Sequence, residues 1–107
     1  MHRNTWKQGE ARIAKLFNTT RTPLSGICSR HTSSDTLHPN LYIEIKHRKE
    51  LPLLVEFRKE WEKCVENSKK ESKTPLFVII KKYSNEPLVL LKLKDIPVVA
   101  KYMSISD

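Results

Sequence analysis

Leu41-Tyr42-Ile43-Glu44-Ile45-Lys46 alternates without a break. In an extended chain Leu41, Ile43 and Ile45 take one face, and Tyr42, Glu44 and Lys46 take the other. This strand orders the rest of the chain. After the basic run His47-Arg48-Lys49, Pro52 suits the first turn of a helix, and Leu54, Phe57, Trp61, Cys64, Val65 and Ser68 recur at three-to-four spacing. The pattern predicts a long amphipathic helix. Its other face, Glu56, Arg58, Lys59, Glu60, Glu62 and Lys63, reads as a solvated surface with i,i+4 pairs. Residues 69–73 are a polar connection to Pro75-Leu76-Phe77-Val78-Ile79-Ile80, a continuous apolar run typical of a strand buried on both faces. Residues 87–93 read as a further strand reached through Ser84-Asn85-Glu86, and Asp95 as the cap of a last helical turn over residues 98–102. On the other side, Trp6, Ile13 and Phe17 share one stripe of a first helix behind Thr5 as N-cap. Two short strands are expected over residues 25–29 and 34–37, with Pro39-Asn40 turning the second onto residues 41–46. The fold class is therefore α/β, a single domain over residues 1–107 with a central mixed sheet flanked by helices.

The 107 residues carry 20 Lys plus Arg against 12 Asp plus Glu, a formal net charge of +8. That excess favours polyanionic partners, because each phosphate contact releases counterions. No apolar stretch approaches the roughly 20 residues of a membrane span, and the N-terminal residues lead into no signal-peptide core, so a cytoplasmic protein is expected. Cys28 and Cys64 form neither a CxxC nor a Cys/His cluster. Neither a disulfide framework nor a structural zinc site is indicated, and neither cysteine has a paired base for nucleophilic catalysis in the sequence pattern.

Three carboxylates carry the chemistry. On the wheel of the first helix Glu10 lies about 40° from Trp6, along the apolar stripe, where a charge is costly unless it is paired or ligates a metal. A rim glutamate paired with a basic side chain is the plainer reading. Asp35 precedes a turn, and a two-residue loop at Pro39-Asn40 sets it directly opposite Glu44, with Cβ atoms about 5 Å apart. Two carboxylates at that distance repel unless one is protonated or a cation lies between them. Mg²⁺ suits such a site, because it is held by one or two carboxylates plus water and substrate phosphate oxygens. Lys46 leaves the same strand face as Glu44, about 7 Å along, and can offset charge on a phosphoryl oxygen or orient a water. The competing reading makes Asp35, Glu44 and Lys46 a surface ion-pair ladder.

Taken together, Ser33-Ser34-Asp35, then Leu41-Tyr42-Ile43-Glu44-Ile45-Lys46-His47-Arg48-Lys49, with Glu10 upstream, resemble the PD-(D/E)xK phosphodiesterases of restriction-endonuclease-like fold. Among these the chain looks most like the small Holliday-junction resolvases and their phage-encoded relatives. The resemblance implies an αβββαβ core and a Mg²⁺-dependent DNA endonuclease, with Mn²⁺ as a substitute and no nucleotide cofactor. It implies Asp35, Glu44 and Glu10 as metal ligands, helped by the Ile45 carbonyl, and Lys46 as the catalytic lysine. It also implies branched or duplex DNA as substrate, a homodimer, and action inside the cell, a phage-infected host included. Two departures stand out: Ser34 occupies the place of the family's proline, and the spacing from Asp35 to Glu44 is short.

Arg21, Arg30, His47, Arg48 and Lys49 flank the site and are the expected contacts to the DNA backbone. Tyr42 shares the Glu44 face and either touches substrate or packs in the core. His31 and His38 lie around Asp35, where they either contact phosphate or a metal or serve only the polarity of the loop; His38 before Pro39 reads more simply as a support for the turn. Other DNA endonucleases, acting on nicks, flaps or restriction-type sites, share this pattern of residues. A non-catalytic basic DNA-binding module is the reading from a different class.

Overall fold

The computed structural model describes residues 5–23, 32–50, 54–83 and 86–104. In chain order these form α1 (Thr5–Leu16), β1 (Leu41–Arg48), α2 (Leu54–Lys70), β2 (Thr74–Lys81), β3 (Leu88–Leu90), a single 3₁₀ turn (Leu93–Asp95) and α3 (Ile96–Tyr102). The result is a small α/β domain. Its sheet runs β1-β2-β3, with β1 and β2 parallel and β2 and β3 antiparallel. Parallel neighbours need a crossover, and α2 is that crossover.

The alternation in β1 sorts the core into two layers. Ile43 and Ile45 lie beside Leu76 and Val78 of β2, and this face packs against Ile13 of α1, Phe17 just beyond its end and Val99 of α3. Tyr42, Phe77 and Ile79 form the opposite face, against Cys64, Phe57 and Trp61 of α2. The apolar run in β2 is buried on both faces, as its composition requires. Burial of large side chains such as Tyr42 and Phe77 stabilises the fold by about 1.5–3 kcal/mol each.

Both long helices stop at a non-glycine residue in the left-handed region. Asn18 (φ 57°) ends α1, and Ser72 (φ 54°) ends α2. Beyond Asn18 the Thr19 N–H donates to the Ala14 carbonyl at 3.0 Å, and beyond Ser72 the Lys73 N–H donates to the Ser68 carbonyl at 2.9 Å. These bonds satisfy carbonyls that a helix end leaves open.

Several expectations change. Thr5, read as a cap, is already helical, and Trp6, placed on the inner stripe, is 39% exposed, with Lys7 Nζ 5.3 Å and Arg21 Cζ 5.5 Å from its ring centroid. The last strand shrinks to Leu88–Leu90, because the chain turns at Leu93–Asp95 into α3. Asp95 precedes α3 without a side-chain cap bond. The strand expected over residues 25–29, with Cys28, Arg30 and His31, lies outside the described residues.

The 34–37 strand is present only in rudiment. Thr22 N–H donates to the Asp35 carbonyl and Leu37 N–H to the Thr20 carbonyl on one side, while Asp35 N–H donates to the Ile43 carbonyl on the other, each at 2.9 Å. Regular pairing reduces to one antiparallel bridge, Arg21 to Thr36. The reason is side-chain competition for the backbone. Ser34 Oγ accepts from the Ile43 N–H and donates to the Ile43 carbonyl, both at 2.9 Å, so a hydroxyl stands where a strand would put its own amide. The two-residue hairpin loop is also replaced: His38 Nδ1 accepts from the N–H groups of Asn40 and Leu41, each at 3.0 Å, which widens the turn.

Candidate functional site at the edge of the first strand

β1 ends the sheet, and its outer edge receives the segment around Asp35. Asp35 straddles Glu44: its N–H donates to Ile43, and its Oδ2 accepts from the Ile45 N–H at 2.7 Å. The expected register, Asp35 opposite Glu44 in a ladder, is thus replaced by a side chain inserted into the ladder. The two carboxylates are neighbours all the same. Burial, then repulsion from Asp35, raises the Glu44 carboxyl above its ordinary value, against the pull of Lys46. Burial also pushes Asp35 up to about 6; the Ile45 bond opposes this, Glu10 adds to it, and Lys46 and Arg21 oppose it.

Glu10 reaches the same place from α1. Burial raises its carboxyl, the Arg21 guanidinium pulls it back, and Glu44 adds repulsion. Its Oε1 pairs with Arg21 Nε at 3.3 Å, so the plainer reading of Glu10, a paired glutamate, holds together with its closeness to the other two carboxylates. Gly9 permits this approach of α1. A Cβ there would stand 2.9 Å from His47 Cε1 and 3.1 Å from Ile80 Cδ1.

Lys46 Nζ lies 3.1 Å from Glu44 Oε2 and 3.9 Å from Glu60 Oε2, and Glu60 also binds Arg48. Glu60 belongs to the α2 face read as solvated. That reading suits Arg58 with Glu62 and Lys70 with Glu66, both exposed i,i+4 pairs, but Glu60 turns inward to β1. Its spacing from Phe57 and Cys64, three and four residues, was the available signal.

The proposed phosphate contacts separate. Arg21 is half-buried on Glu10, Arg48 is held by Glu60, and Lys49 is exposed. His47 lies on the α1 face, and its Nε2 is buried with no hydrogen-bond partner among the described residues. That placement removes His47 from the DNA-facing set. Tyr42 is a core residue; its hydroxyl meets Ser33 Oγ at 2.8 Å.

Glu71 is the residue that sequence reading missed. At the C-terminal end of α2 it accepts from Ser33 N–H at 2.9 Å, from Ser33 Oγ at 3.1 Å and from Thr32 Oγ1, and it pairs with Lys73 at 3.1 Å. Burial would raise its carboxyl, but these donors together hold it below the usual value. Glu71 therefore anchors the segment that delivers Asp35. Nothing local in residues 69–73 marks that role, because the segment it anchors, Thr32 and Ser33, lies nearly forty residues away.

Among the described residues no group of three Asp, Glu, His or Cys side chains converges closely enough to hold a metal ion. As they stand, Glu10 leans on Arg21, Glu44 on Lys46, and Asp35 on the Ile45 amide. The donor set still suits a hard divalent cation in kind. It consists of carboxylate oxygens, and all three carboxyls are held above their ordinary pKa, so added positive charge there would be favourable. Comparison with family models, with curated proteins and with solved structures yields no match for this chain. No helix among the described residues is long and apolar enough to cross a membrane.

Proposed function

We propose that the chain is a Mg²⁺-dependent DNA endonuclease of the PD-(D/E)xK kind, acting inside the cell on branched DNA of the four-way-junction type. One observation carries the reading: Glu10, Asp35, Glu44 and Lys46, from three separate segments, share one electrostatic neighbourhood beside an edge strand. In the restriction-endonuclease-like arrangement, residues 20–22 and 34–37 would stand where two further strands belong, ahead of β1. Asp35, Glu44 and Glu10, with the Ile45 carbonyl, would hold the ion. When bound, it would supply a Lewis acid and a water of lowered pKa. Lys46 is placed to offset charge on the phosphoryl group or to orient the attacking water. Hydrolysis adds that water across one P–O bond, leaving a phosphate monoester and a hydroxyl. Lys49 is exposed and free to meet the DNA backbone, whereas Arg21 and Arg48 would have to leave Glu10 and Glu60 to do so.

The experiment is cleavage of labelled four-way junction, flap, duplex and single-stranded DNA, with Mg²⁺ or EDTA, by wild type, Glu44→Ala and Lys46→Ala. Junction cutting that needs Mg²⁺ and both side chains supports the whole reading; cutting of another substrate keeps the site and changes the specificity. One observation favours a second reading, a non-catalytic basic DNA-binding module: Lys46 is already closed between two carboxylates. Well-folded protein that cuts nothing, with DNA binding unaltered in both variants, would establish that alternative.

A further inference from the structure

We infer that Tyr83, with Lys49, Lys81 and Lys82 around it, is a stacking platform for an unpaired DNA base, placed a few nucleotides from the carboxylate site. Tyr83 is 90% exposed, the most exposed large hydrophobic side chain among the described residues. A ring left in water contributes almost nothing to the core, so burial does not explain an aromatic there. Its backbone is costly as well. Tyr83 has φ 67°, in the left-handed region, which a bulky side chain avoids and which glycine would occupy without strain. Strain with no return in packing points to a use for the side chain.

The surroundings name the ligand. Lys82 Nζ stands 5.0 Å from the Tyr83 ring centroid. Lys81 and Lys82 are exposed, and so is Lys49, just past the end of β1. The two chain segments are tied together: Arg48 neighbours Lys81 in the parallel ladder, and the Lys82 N–H donates to the Arg48 carbonyl at 2.7 Å. Lys81 has a long ion pair with Glu50, 4.0 Å between two exposed side chains, which a phosphate can displace. One aromatic beside cations, with no aliphatic side chain over residues 81–86, fits a polynucleotide. A protein hot spot or a membrane surface would call for apolar neighbours beside the ring. Every base offers a π face to an aromatic ring, and lysines beside it can follow the phosphates. A duplex keeps its bases stacked on one another, so the ring selects unpaired nucleotides.

Position connects the platform to the site. Lys46 lies beside Ile79 in the ladder, and Tyr83 is four residues further along, at most about 13 Å of extended chain. That is the length of about four nucleotides at 3.4 Å each. The inference deepens the proposed nuclease reading and rests on it for the choice of DNA. A strand held on Tyr83 is then long enough to reach Glu44 and Lys46, and substrates with unpaired nucleotides beside a duplex are favoured over plain duplex.

The test is fluorescence anisotropy of labelled oligonucleotides in EDTA, a readout that needs no nuclease activity. The probes are a short oligothymidylate, a duplex of the same length and an abasic strand of that length. Tyr83→Gly relieves the backbone strain, so it should melt no lower than wild type, yet it should bind the oligothymidylate roughly tenfold more weakly. Tyr83→Phe keeps the ring and should bind as wild type does. Neither variant should change binding to the duplex or to the abasic strand. Lys82→Ala should lower the salt dependence of single-strand binding by about 0.7 in log–log slope. Single-strand affinity indifferent to Tyr83→Gly overturns the inference, and so does an equal loss on all three probes. Tyr83-dependent binding by a protein that cuts no DNA would uphold the platform and count against the nuclease; cutting by a protein whose single-strand binding ignores Tyr83 would uphold the nuclease and overturn the platform.

Discussion

Asp35 is held at a cost. Burial raises its folded pKa to about 6 from an ordinary 3.8, so the folded state binds the proton more tightly than the unfolded chain does between those values. Stability must then fall as pH rises through 4 to 6, with the full penalty above 6 and none below the unfolded pKa. An asparagine at this position would keep an oxygen for the Ile45 amide and carry no charge. Asp35→Asn is therefore expected to gain about 1–2 kcal/mol at pH 8 in EDTA, several degrees in Tm, a gain that vanishes near pH 3.5. Thermal melts at the two pH values check this. At the same scale, Ser72 sits in the left-handed region at the end of α2, where glycine has no Cβ penalty. Ser72→Gly should stabilise by about 0.5–1 kcal/mol, measured by urea unfolding. Cys64 is buried and its thiol is pushed up to about 12, so it should resist a thiol reagent until the protein unfolds.

Among the elements, the segment carrying Asp35 has little regular structure of its own. It is pinned by Ser34 on Ile43, by Thr22 Oγ1 on the Ser34 carbonyl at 2.8 Å, and by Glu71 on Thr32 and Ser33. Glu71→Ala removes the carboxylate that gathers Thr32 Oγ1 and the Ser33 N–H and hydroxyl, and should cost about 1–2 kcal/mol. Hydrogen exchange should quicken at residues 32–37 ahead of β1 and β2, and uniform quickening would contradict the anchor role. Helix α1 has its own constraint. Gly9→Ala gains helix propensity but drives a Cβ against His47 and Ile80, so α1 must shift and carry Glu10 with it. A net loss of about 1–2 kcal/mol is expected from urea unfolding. Legibility differs at this scale. The alternation over residues 41–46 and the helical spacing over residues 54–68 are plain in the sequence, because each records burial with a single period. The 34–37 strand is legible in position but not in form, since its partners are side-chain oxygens that no period records.

For the whole molecule, a site of three raised carboxyls links stability to cations. Mg²⁺ at about a hundred times its dissociation constant should stabilise the protein by about 2.7 kcal/mol at pH 8, reversed by EDTA. Asp35→Asn should remove most of that increment, and an increment unchanged in the variant would place the ion elsewhere. Glu10, Asp35 and Glu44 can be nominated from the sequence because each interrupts a pattern: a charge on an apolar stripe, an acid before a turn, an acid on an alternating strand. Their closeness follows on paper from a hairpin register that the structure replaces. Glu60 and Glu71 look like surface charges in the sequence, and His47 looks like a phosphate contact although it lies under α1.

By itself the sequence determined the α/β class, the alternating strand β1, the crossover helix α2 and the doubly buried strand β2, because periodic burial is written in neighbouring residues. Only the tertiary structure decided which carboxylates meet, which cation or amide each one leans on, and that Glu71 anchors the segment beside β1. Those outcomes depend on contacts between residues far apart in the chain, in which a hydroxyl or carboxylate outcompetes a backbone amide, and no local pattern encodes that competition.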